Sequence, residues 1–203
     1  MLIVVSHGGK LEGEAAIVNA LFEEGLECFH LRKPEATEYE LTAFMQEIDP
    51  VFYPKIAWHQ CHHLAFTYNS KRLHFPTWMR DRTDAGMWKL LMSEQCILTT
   101  SIHAGDAVLS PPSCFAYTFA GPVFNSISKT GYAALRENER MKLAFNDTVV
   151  KRIAIGGIDY DNCNAVRILG VQGIAVSGAI WQASHPLHSF KKIRSAWHTT
   201  DPL

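Results

Sequence analysis

Two glycine-bearing segments near the C-terminal end of the sequence carry the pattern with the clearest chemical meaning. The first runs from Arg152 to Ile158 and the second from Gly173 to Ile180, and each places small residues after a short apolar run. Such a run indicates a buried strand, and a turn of small residues after it exposes backbone N–H groups that bind phosphate oxygens. Two unrelated tight turns are the alternative. The repeated pattern predicts a phosphate site at Gly156, Gly157, Ser177 and Gly178.

Cationic and hydroxyl side chains near other predicted strand ends extend this prediction of an anion site. Arg32 follows the strand-like run that begins at Leu26, and a guanidinium offers a planar pair of donors to phosphate oxygens. The loop from 125 to 129 supplies a second cation and two hydroxyls, Lys129, Ser126 and Ser128. A solvent-facing arginine and an ordinary surface loop are the competing interpretations.

Four of the ten histidines lie at the ends of predicted strands: His30, His59, His74 and His103. Imidazole exchanges protons near neutral pH, so each is a candidate acid or base, although a hydrogen-bonded core or rim histidine is the simpler interpretation of any one. Ser101 and His103 are two residues apart and share a strand face, which suggests a nucleophile and its base. No Gly-x-Ser-x-Gly segment surrounds Ser101, which argues against an acyl-transfer hydrolase.

The segment His59-Gln60-Cys61-His62-His63 concentrates residues that bind metals. His59, Cys61 and His63 share a face if the segment is extended, and His59 and His63 share one if it is helical. No second cluster with the spacing of a zinc site accompanies it, so we predict no bound metal from the residues alone.

Strand-like and helix-like segments alternate along the chain. The strand-like runs are 2–5, 26–31, 55–59, 72–75, 96–101, 114–120, 149–155 and 173–176. Helices are predicted over 11–24, 38–48, 62–68, 84–92 and 159–169, with others at 105–109 and after 131. Eight such units predict an α/β fold, a (β/α)8 TIM barrel whose site lies at the C-terminal strand ends. A doubly wound open sheet is the alternative, but the turn His7-Gly8-Gly9 lacks the dinucleotide-binding spacing.

Composition and length restrict the remaining possibilities. The 203 residues include 19 basic and 20 acidic side chains without a basic stripe, so we expect neither nucleic acid nor a membrane surface as a partner. No linker-like segment divides the chain, and we predict a single domain over residues 1–203. The apolar run 2–5 is too short for a signal peptide or membrane span. Five scattered cysteines indicate reduced thiols, and we expect a cytoplasmic protein.

Three further motifs precede the glycine segments in a fixed order: His30-Leu31-Arg32, then Ser101-Ile102-His103, then Gly121-Pro122-Val123-Phe124 followed by Lys129. Over almost the full chain, these motifs resemble the family of thiamine phosphate synthase and the TenI-type thiazole tautomerase. The first is similar to TenI-type members, where synthases usually carry Gln in place of His, and the third is similar to the synthase motif. The resemblance implies a thiamine-pathway barrel that binds a thiazole phosphate with the two glycine segments.

A synthase of this family joins a pyrimidine methyl diphosphate to a thiazole phosphate, and it releases diphosphate with the help of magnesium held by carboxylates. The sequence departs from the family at these positions. The usual Asn-Asp after the third strand aligns with His59-Gln60, a carboxylate after the fourth with Met79, and a lysine after the second with Pro34. Asp81 and Lys33 lie nearby but out of register. We therefore expect poor synthase activity and no cofactor, with Mg²⁺ needed only if the chain is a synthase.

The tautomerase branch of the family moves a proton and needs no metal. Its histidine after the sixth strand aligns with Pro122, so we expect His103 or His30 to carry the proton and to face the bound ring. The sequence thus predicts a thiamine-pathway enzyme that isomerises a thiazole phosphate or its carboxylate. A divergent thiamine phosphate synthase, a transferase, is the first alternative, and a catalytically silent phosphate-binding or regulatory protein is the second. The expected partner is a small phosphorylated thiazole, and a homo-oligomer is compatible with the sequence.

Overall fold

Eight parallel strands form a closed barrel in the computed structural model, which describes residues 1–103, 112–124 and 150–198. The strands are β1 (Leu2–Val5), β2 (Cys28–Leu31), β3 (Ile56–Trp58), β4 (Arg72–Phe75), β5 (Ile97–His103), β6 (Phe115–Gly121), β7 (Lys151–Ile155) and β8 (Gly173–Val176). Each strand pairs with the next along the chain, and β8 closes the barrel against β1. The (β/α)8 prediction is confirmed, and the open-sheet alternative is wrong.

Helices connect the strands on the outside of the barrel. They are α1 (Glu14–Glu23), α2 (Glu38–Gln46), α3 (His62–Thr67), α4 (Thr77–Arg80), α5 (Ala85–Ser93), α6 (Cys163–Arg167), α7 (Gly178–Trp181) and α8 (Pro186–His198), with a 3-10 helix over Pro50–Lys55. None of these described helices combines the length and hydropathy needed to cross a membrane. The helices predicted at 105–109 and after 131 lie outside the described residues.

Local sequence signals explain where two of the helices begin. Helix α2 starts with a capping box, in which Thr37 Oγ1 accepts from Glu40 N and Glu40 Oε2 accepts from Thr37 N, at 3.3 and 2.8 Å. Helix α1 begins at Glu14 rather than at the predicted Leu11, because Gly13 has φ +72° and this left-handed conformation does not continue a helix.

Alternation along the strands divides their side chains between two environments. On β1, Leu2 and Val4 pack outward against the helices, whereas Ile3 and Val5 belong to a cluster in the barrel interior. The interior also receives buried polar side chains, among them His30 of β2 and His74 of β4. Since the strands are parallel, these inward residues form layers that lead up to the C-terminal mouth of the barrel.

Candidate active site in the barrel mouth

A cavity of about 500 Å³ lies at the C-terminal ends of the strands. Seven of the predicted site residues line it: Arg32, Ser101, His103, Gly156, Gly157, Ser177 and Gly178. The structure therefore brings together residues that are separated by as many as 146 positions in the sequence. Ser126, Ser128 and Lys129, which the sequence also assigns to the site, lie outside the described residues.

The two glycine segments form one side of the cavity. Gly156 and Gly157 have φ +100° and +65°, a conformation that other residues adopt with strain. Ser177 and Gly178 follow β8 on the neighbouring strand, where Ser177 Oγ donates to Ser6 O at 3.4 Å. The cup formed by these four residues is thereby attached to β1 across the barrel closure.

The Gly-Pro-Val-Phe segment acts as the structural support of this cup. A Cβ atom on Gly156 would lie 2.6 Å from Pro122 Cβ, and one on Gly121 would lie 2.1 Å from Ile155 O. Val123 N donates to Ile155 O and Phe124 N donates to Gly156 O, both at 3.0 Å. The motif after β6 and the glycines after β7 therefore fit each other through close backbone contact, which only glycine permits at 121 and 156.

A turn after Gly157 orients the cup from the other side. Asn162 Nδ2 donates to Gly157 O at 2.7 Å, and its Oδ1 accepts from Asp159 N at 3.0 Å. Asp159 Oδ1 in turn accepts from Asn162 N at 3.1 Å. These bonds fix the Gly157 carbonyl on the side of Asn162. The Asp-x-x-Asn spacing is the sequence signal that could have identified this turn.

His30 does not line the cavity, contrary to the expectation that it faces the bound ring. Its side chain is fully buried, with Nδ1 2.9 Å from His59 Nε2 and Nε2 2.6 Å from the Tyr117 hydroxyl. The cause is strand register: β2 and β3 pair His30 with Ala57, so His59 lies two residues nearer the mouth. His59 lines the cavity in its place.

Ser101 is hydrogen-bonded to His74 rather than to the His103 suggested by the sequence. Its Oγ lies 3.0 Å from His74 Nε2, and His74 Nδ1 lies 3.0 Å from Thr99 Oγ1. Strands β4 and β5 pair His74 with Thr99, which sets the imidazole between the two hydroxyl residues of β5. His103 lies at the exposed rim, where its Nδ1 is 3.4 Å from Thr77 Oγ1.

Burial makes the central imidazoles weak bases. It lowers the pKa of His30 and of His59 well below the ordinary value of 6.5, and the neighbouring His74 contributes to both shifts. It also lowers the pKa of His74 to about 3, with smaller contributions from His62 and Arg32. These three rings are therefore neutral at physiological pH.

A buried ion pair shapes the loop between β1 and α1. Lys33 Nζ donates to Glu14 Oε2 at 2.6 Å and to the backbone oxygens of His7 and Gly9 at 3.2 and 2.9 Å. Glu14 Oε1 accepts from His7 N at 2.9 Å. Burial raises the pKa of Glu14, while Lys33 opposes that shift. The loop from His7 to Gly9 lines the cavity, and its position directly after β1 is the signal that could have identified it.

The residues near the expected magnesium positions are engaged elsewhere. Gln60 Nε2 donates to Lys33 O, and Asp81 Oδ1 accepts from Arg80 Nε at 2.9 Å. Met79 packs against the hydrophobic core. None of the described residues that line the cavity carries a carboxylate. The described lining therefore does not fit a magnesium site, which prefers carboxylate oxygens.

The metal-binding interpretation of the segment from His59 to His63 is not supported by its conformation. Helix α3 begins at His62. His63 lies on the surface, where its Nε2 is 3.3 Å from Glu38 Oε1. Among the described residues, His30, His59 and His74 instead place nitrogen atoms within 4.8 Å of one another. The rings of His59 and His74 stack with 20° between their planes. A metal-binding imidazole directs its lone pair in the plane of its ring. An ion between the stacked rings of His59 and His74 would lie outside the planes of these two rings, so the arrangement does not suit a metal.

Trp181 completes the wall beside Ser177. Its Nε1 donates to Val5 O at 2.7 Å, and its indole lines the cavity. No sequence motif marks this residue; its place follows from α7, which begins directly after β8.

The fold and the site together define the class of this protein: a (β/α)8 barrel with a glycine cup, cationic and imidazole side chains at the C-terminal mouth. Within that class, residues 1–180 match the family model described as "Thiamine monophosphate synthase", TMP-TENI. The chain belongs to this family of thiamine biosynthesis, as its motifs predict.

Two curated relatives, both named thiamine-phosphate synthase, match a shorter region of the chain. The thiamine-phosphate synthase of Laribacter hongkongensis (strain HLHK9) is 31% identical over 96 residues, which are 47% of this chain and 46% of the relative. That of Latilactobacillus sakei subsp. sakei (strain 23K) is 28% identical over 103 residues, 50% of this chain and 46% of the relative. The chain thus spans about half the length of the curated relatives it matches.

Solved structures confirm the fold over nearly the whole chain. A thiamine phosphate pyrophosphorylase from Bacteroides thetaiotaomicron superposes with a TM-score of 0.74 at 23% identity, covering 96% of both chains. One from Pyrococcus furiosus superposes with a TM-score of 0.76 at 18% identity, covering 97% of this chain and 94% of that chain.

Proposed function

We propose that the chain binds a phosphorylated thiazole in the barrel mouth and isomerises it by proton transfer. The observation that carries this proposal is the composition of the described cavity wall, which combines a glycine cup and several imidazoles with no carboxylate. Imidazole and backbone N–H groups suffice to hold a phosphate and move a proton. Release of a diphosphate also needs carboxylates that hold Mg²⁺, and the described cavity wall has none.

The phosphate of the ligand is assigned to the cup formed by Gly156, Gly157, Ser177 and Gly178. Gly156 allows the close packing against Pro122, and Asn162 holds the Gly157 carbonyl, so the cup is rigid before a ligand arrives. A preformed site loses little conformational freedom on binding, which favours affinity. Arg32 lines the same cavity and supplies the positive charge that a doubly ionised phosphate needs.

The proton carrier is assigned to His103. It lies at the exposed rim of the cavity, two residues beyond Ser101, whereas the imidazoles of His59 and His74 are buried deeper and are weak bases. A group that exchanges protons with a substrate and then with solvent needs access to both. The ring of His30 does not line the cavity, and its hydrogen bond to a residue of the cavity wall is the one to His59.

A divergent thiamine phosphate synthase is the second candidate, and the names of the relatives favour it. The contacts of three residues near the expected diphosphate and magnesium positions argue against a synthase. Gln60 donates to the Lys33 backbone oxygen, Lys33 donates to Glu14, and Asp81 accepts from Arg80, so these polar groups are bonded to other parts of the protein. A catalytically silent phosphate-binding protein is the third candidate, because the cup alone accounts for binding.

One experiment separates the three candidates. The purified protein is incubated in D2O with thiazole phosphate carboxylate, with and without Mg²⁺, and in parallel with thiazole phosphate and pyrimidine methyl diphosphate. We expect deuterium incorporation into the thiazole without magnesium and no diphosphate release. Magnesium-dependent diphosphate release would establish the synthase instead. Saturable binding of the thiazole phosphate with neither reaction would leave the binding protein, and no binding at all would refute the assignment of the cup.

A further inference from the structure

A continuous hydrogen-bonded chain of side chains runs from the barrel interior to the cavity. The Tyr117 hydroxyl lies 2.6 Å from His30 Nε2, and His30 Nδ1 lies 2.9 Å from His59 Nε2. At the inner end, Cys28 Sγ is 3.7 Å from the Tyr117 hydroxyl. Tyr117 and His30 are buried, whereas His59 lines the cavity. The buried Tyr117 hydroxyl is thus connected to the cavity by hydrogen bonds through the imidazole rings of His30 and His59.

We propose that Tyr117, acting through His30, holds His59 in the tautomer that carries its proton on Nδ1, so that His59 offers an N–H donor to the ligand. Tyr117 and His30 are then positioning residues, and His59 is the residue that contacts the ligand. The inference rests on the proposed function only for the identity of that ligand. It specifies that the part of the ligand near His59 is a hydrogen-bond acceptor, such as a ring nitrogen or a carboxylate oxygen.

The first step of the argument is that every member of the chain is neutral. Burial lowers the pKa of both histidines far enough that each ring carries one N–H and one lone pair. Burial also raises the pKa of Tyr117 well above 10, so the phenol keeps its proton. One proton therefore lies in each contact, and the direction of the first hydrogen bond fixes the direction of the next.

The second step is that one of the two possible directions pairs stronger donors with stronger acceptors. If Tyr117 donates to His30, a phenol meets an imidazole lone pair, and His30 Nδ1–H then donates to His59 Nε2. In the reverse direction, an imidazole N–H would donate to the phenol oxygen, and the phenol proton would be left to the sulfur of Cys28, a weak acceptor. The 2.6 Å distance between Tyr117 and His30 is also typical of a strong phenol donor.

The third step is that the remaining proton of His59 is available to a ligand. With Nε2 accepting from His30, the proton of the neutral ring is on Nδ1. Within the described part of the chain, no hydrogen bond is formed by this nitrogen, and the ring lines the cavity. The stack against His74, with centroids 4.0 Å apart, prevents the ring from turning freely. The direction of the N–H is therefore set before a ligand binds.

The tautomers are measured directly by NMR of protein labelled with ¹⁵N-histidine, with His30→Gln and His59→Asn used for assignment. We expect His30 and His59 to carry their protons on Nδ1, and we expect Tyr117→Phe to give a mixture of tautomers at both rings. Tyr53→Phe is the matched control, because its hydroxyl donates to Met45 O outside the barrel, and it should change neither ring. Protons on Nε2 in the wild-type protein would overturn the proposal.

The consequence for the ligand is measured by calorimetry with thiazole phosphate carboxylate and with inorganic phosphate. Tyr117→Phe is expected to weaken binding of the thiazole about threefold to tenfold, the effect of losing part of one hydrogen bond, and to leave phosphate binding unchanged. In a His59→Asn background, where the amide donor needs no tautomer to be fixed, Tyr117→Phe should have no effect. An equal loss in both backgrounds would mean that Tyr117 is merely structural and would refute the proposal.

Two other outcomes are distinguishable from these. If the wild-type protein binds no thiazole, the proposed function fails, while the NMR experiment still decides the tautomers. If Zn²⁺ or Co²⁺ binds tightly and removes the N–H signals of His30, His59 and His74 together, the three nitrogens form a metal centre, and the positioning proposal is wrong.

Discussion

The imidazoles of His59 and His74 stack face to face, with ring centroids 4.0 Å apart and 20° between the planes. They come from neighbouring parts of the barrel, the residue after β3 and the third residue of β4. A proton on either ring would place a positive charge on a largely buried imidazole, close to the other histidines and to Arg32. The packing of the barrel interior therefore depends on these two residues being uncharged.

Acidification is expected to destabilise the barrel. A histidine in the unfolded chain binds a proton near pH 6.5, whereas His74 in the folded protein binds one only near pH 3. Its contribution to the free energy of unfolding is complete above pH 6.5 and is lost as the pH falls towards 3, by about 1.4 kcal/mol per pH unit. Urea unfolding between about pH 7.5 and about pH 4.5 measures the slope. His74→Asn should reduce it, whereas the exposed control His63→Asn should not; an unchanged slope in His74→Asn would contradict this.

Gly156→Ala is expected to disrupt the glycine cup, to which the phosphate of the ligand is assigned in the proposed function. The added Cβ would lie 2.6 Å from Pro122 Cβ, and alanine would be strained at a φ of +100°. We therefore expect the free energy of unfolding to fall by about 3 kcal/mol, and we expect the free energy of phosphate binding to weaken by a similar amount. Gly13→Ala is the matched control, because Gly13 has φ +72° but no atom within 4 Å of the position that an added Cβ would occupy. It should cost about 1 kcal/mol and leave phosphate binding intact. Equal effects of the two substitutions would show that the contact with Pro122 is unimportant.

Lys33→Met is expected to destabilise the protein and to loosen the loop from His7 to Gly9. The substitution leaves the buried Glu14 carboxylate without its cation, which costs about 3 kcal/mol in the free energy of unfolding. Adding Glu14→Gln removes that unpaired charge while its amide oxygen still accepts from His7 N, so the double variant should regain part of the loss. Chemical unfolding measures the free energy of unfolding of the single and the double variant. A double variant as unstable as the sum of the single ones would indicate that the pair does not interact.

His103→Ala is expected to lower the rate of deuterium exchange into the thiazole about 100-fold, because a proton carrier contributes an effect of that order. Calorimetric binding of inorganic phosphate should be unchanged, since His103 is on a different strand from the cup. The exposed His188→Ala serves as a control for the loss of a surface imidazole. Unchanged exchange in His103→Ala would remove this residue from the mechanism.

The architecture was accessible from the sequence because strand ends have strong local signals. The limits predicted for β4 and β8 agree with the structure, and the turns that follow β7 and β8 both line the cavity. In a parallel barrel, a residue at the C-terminal end of any strand reaches the same mouth, so Arg32 and His103 could be assigned to the cavity without knowledge of how strands pair.

The contacts among the site residues were not accessible in this way, because they depend on register between strands. Ser101 and His103 share a face of β5, yet the partner of Ser101 is His74, which β4 places beside Thr99. His30 and His59 both end predicted strands, but the pairing of His30 with Ala57 sets them at different depths. Nothing along one strand specifies the stagger of its neighbour, which is set by packing throughout the barrel.

The position of Trp181 gives the cavity an optical reporter. Its indole lines the wall beside the glycine cup, and the hydrogen bond from Nε1 to Val5 O holds it still. A phosphate that enters the cup changes the electric field at this ring, so the emission of Trp181 should respond to occupancy without any label. We therefore expect the intrinsic fluorescence of the protein to change on titration with phosphate, and Trp181→Phe to remove the change.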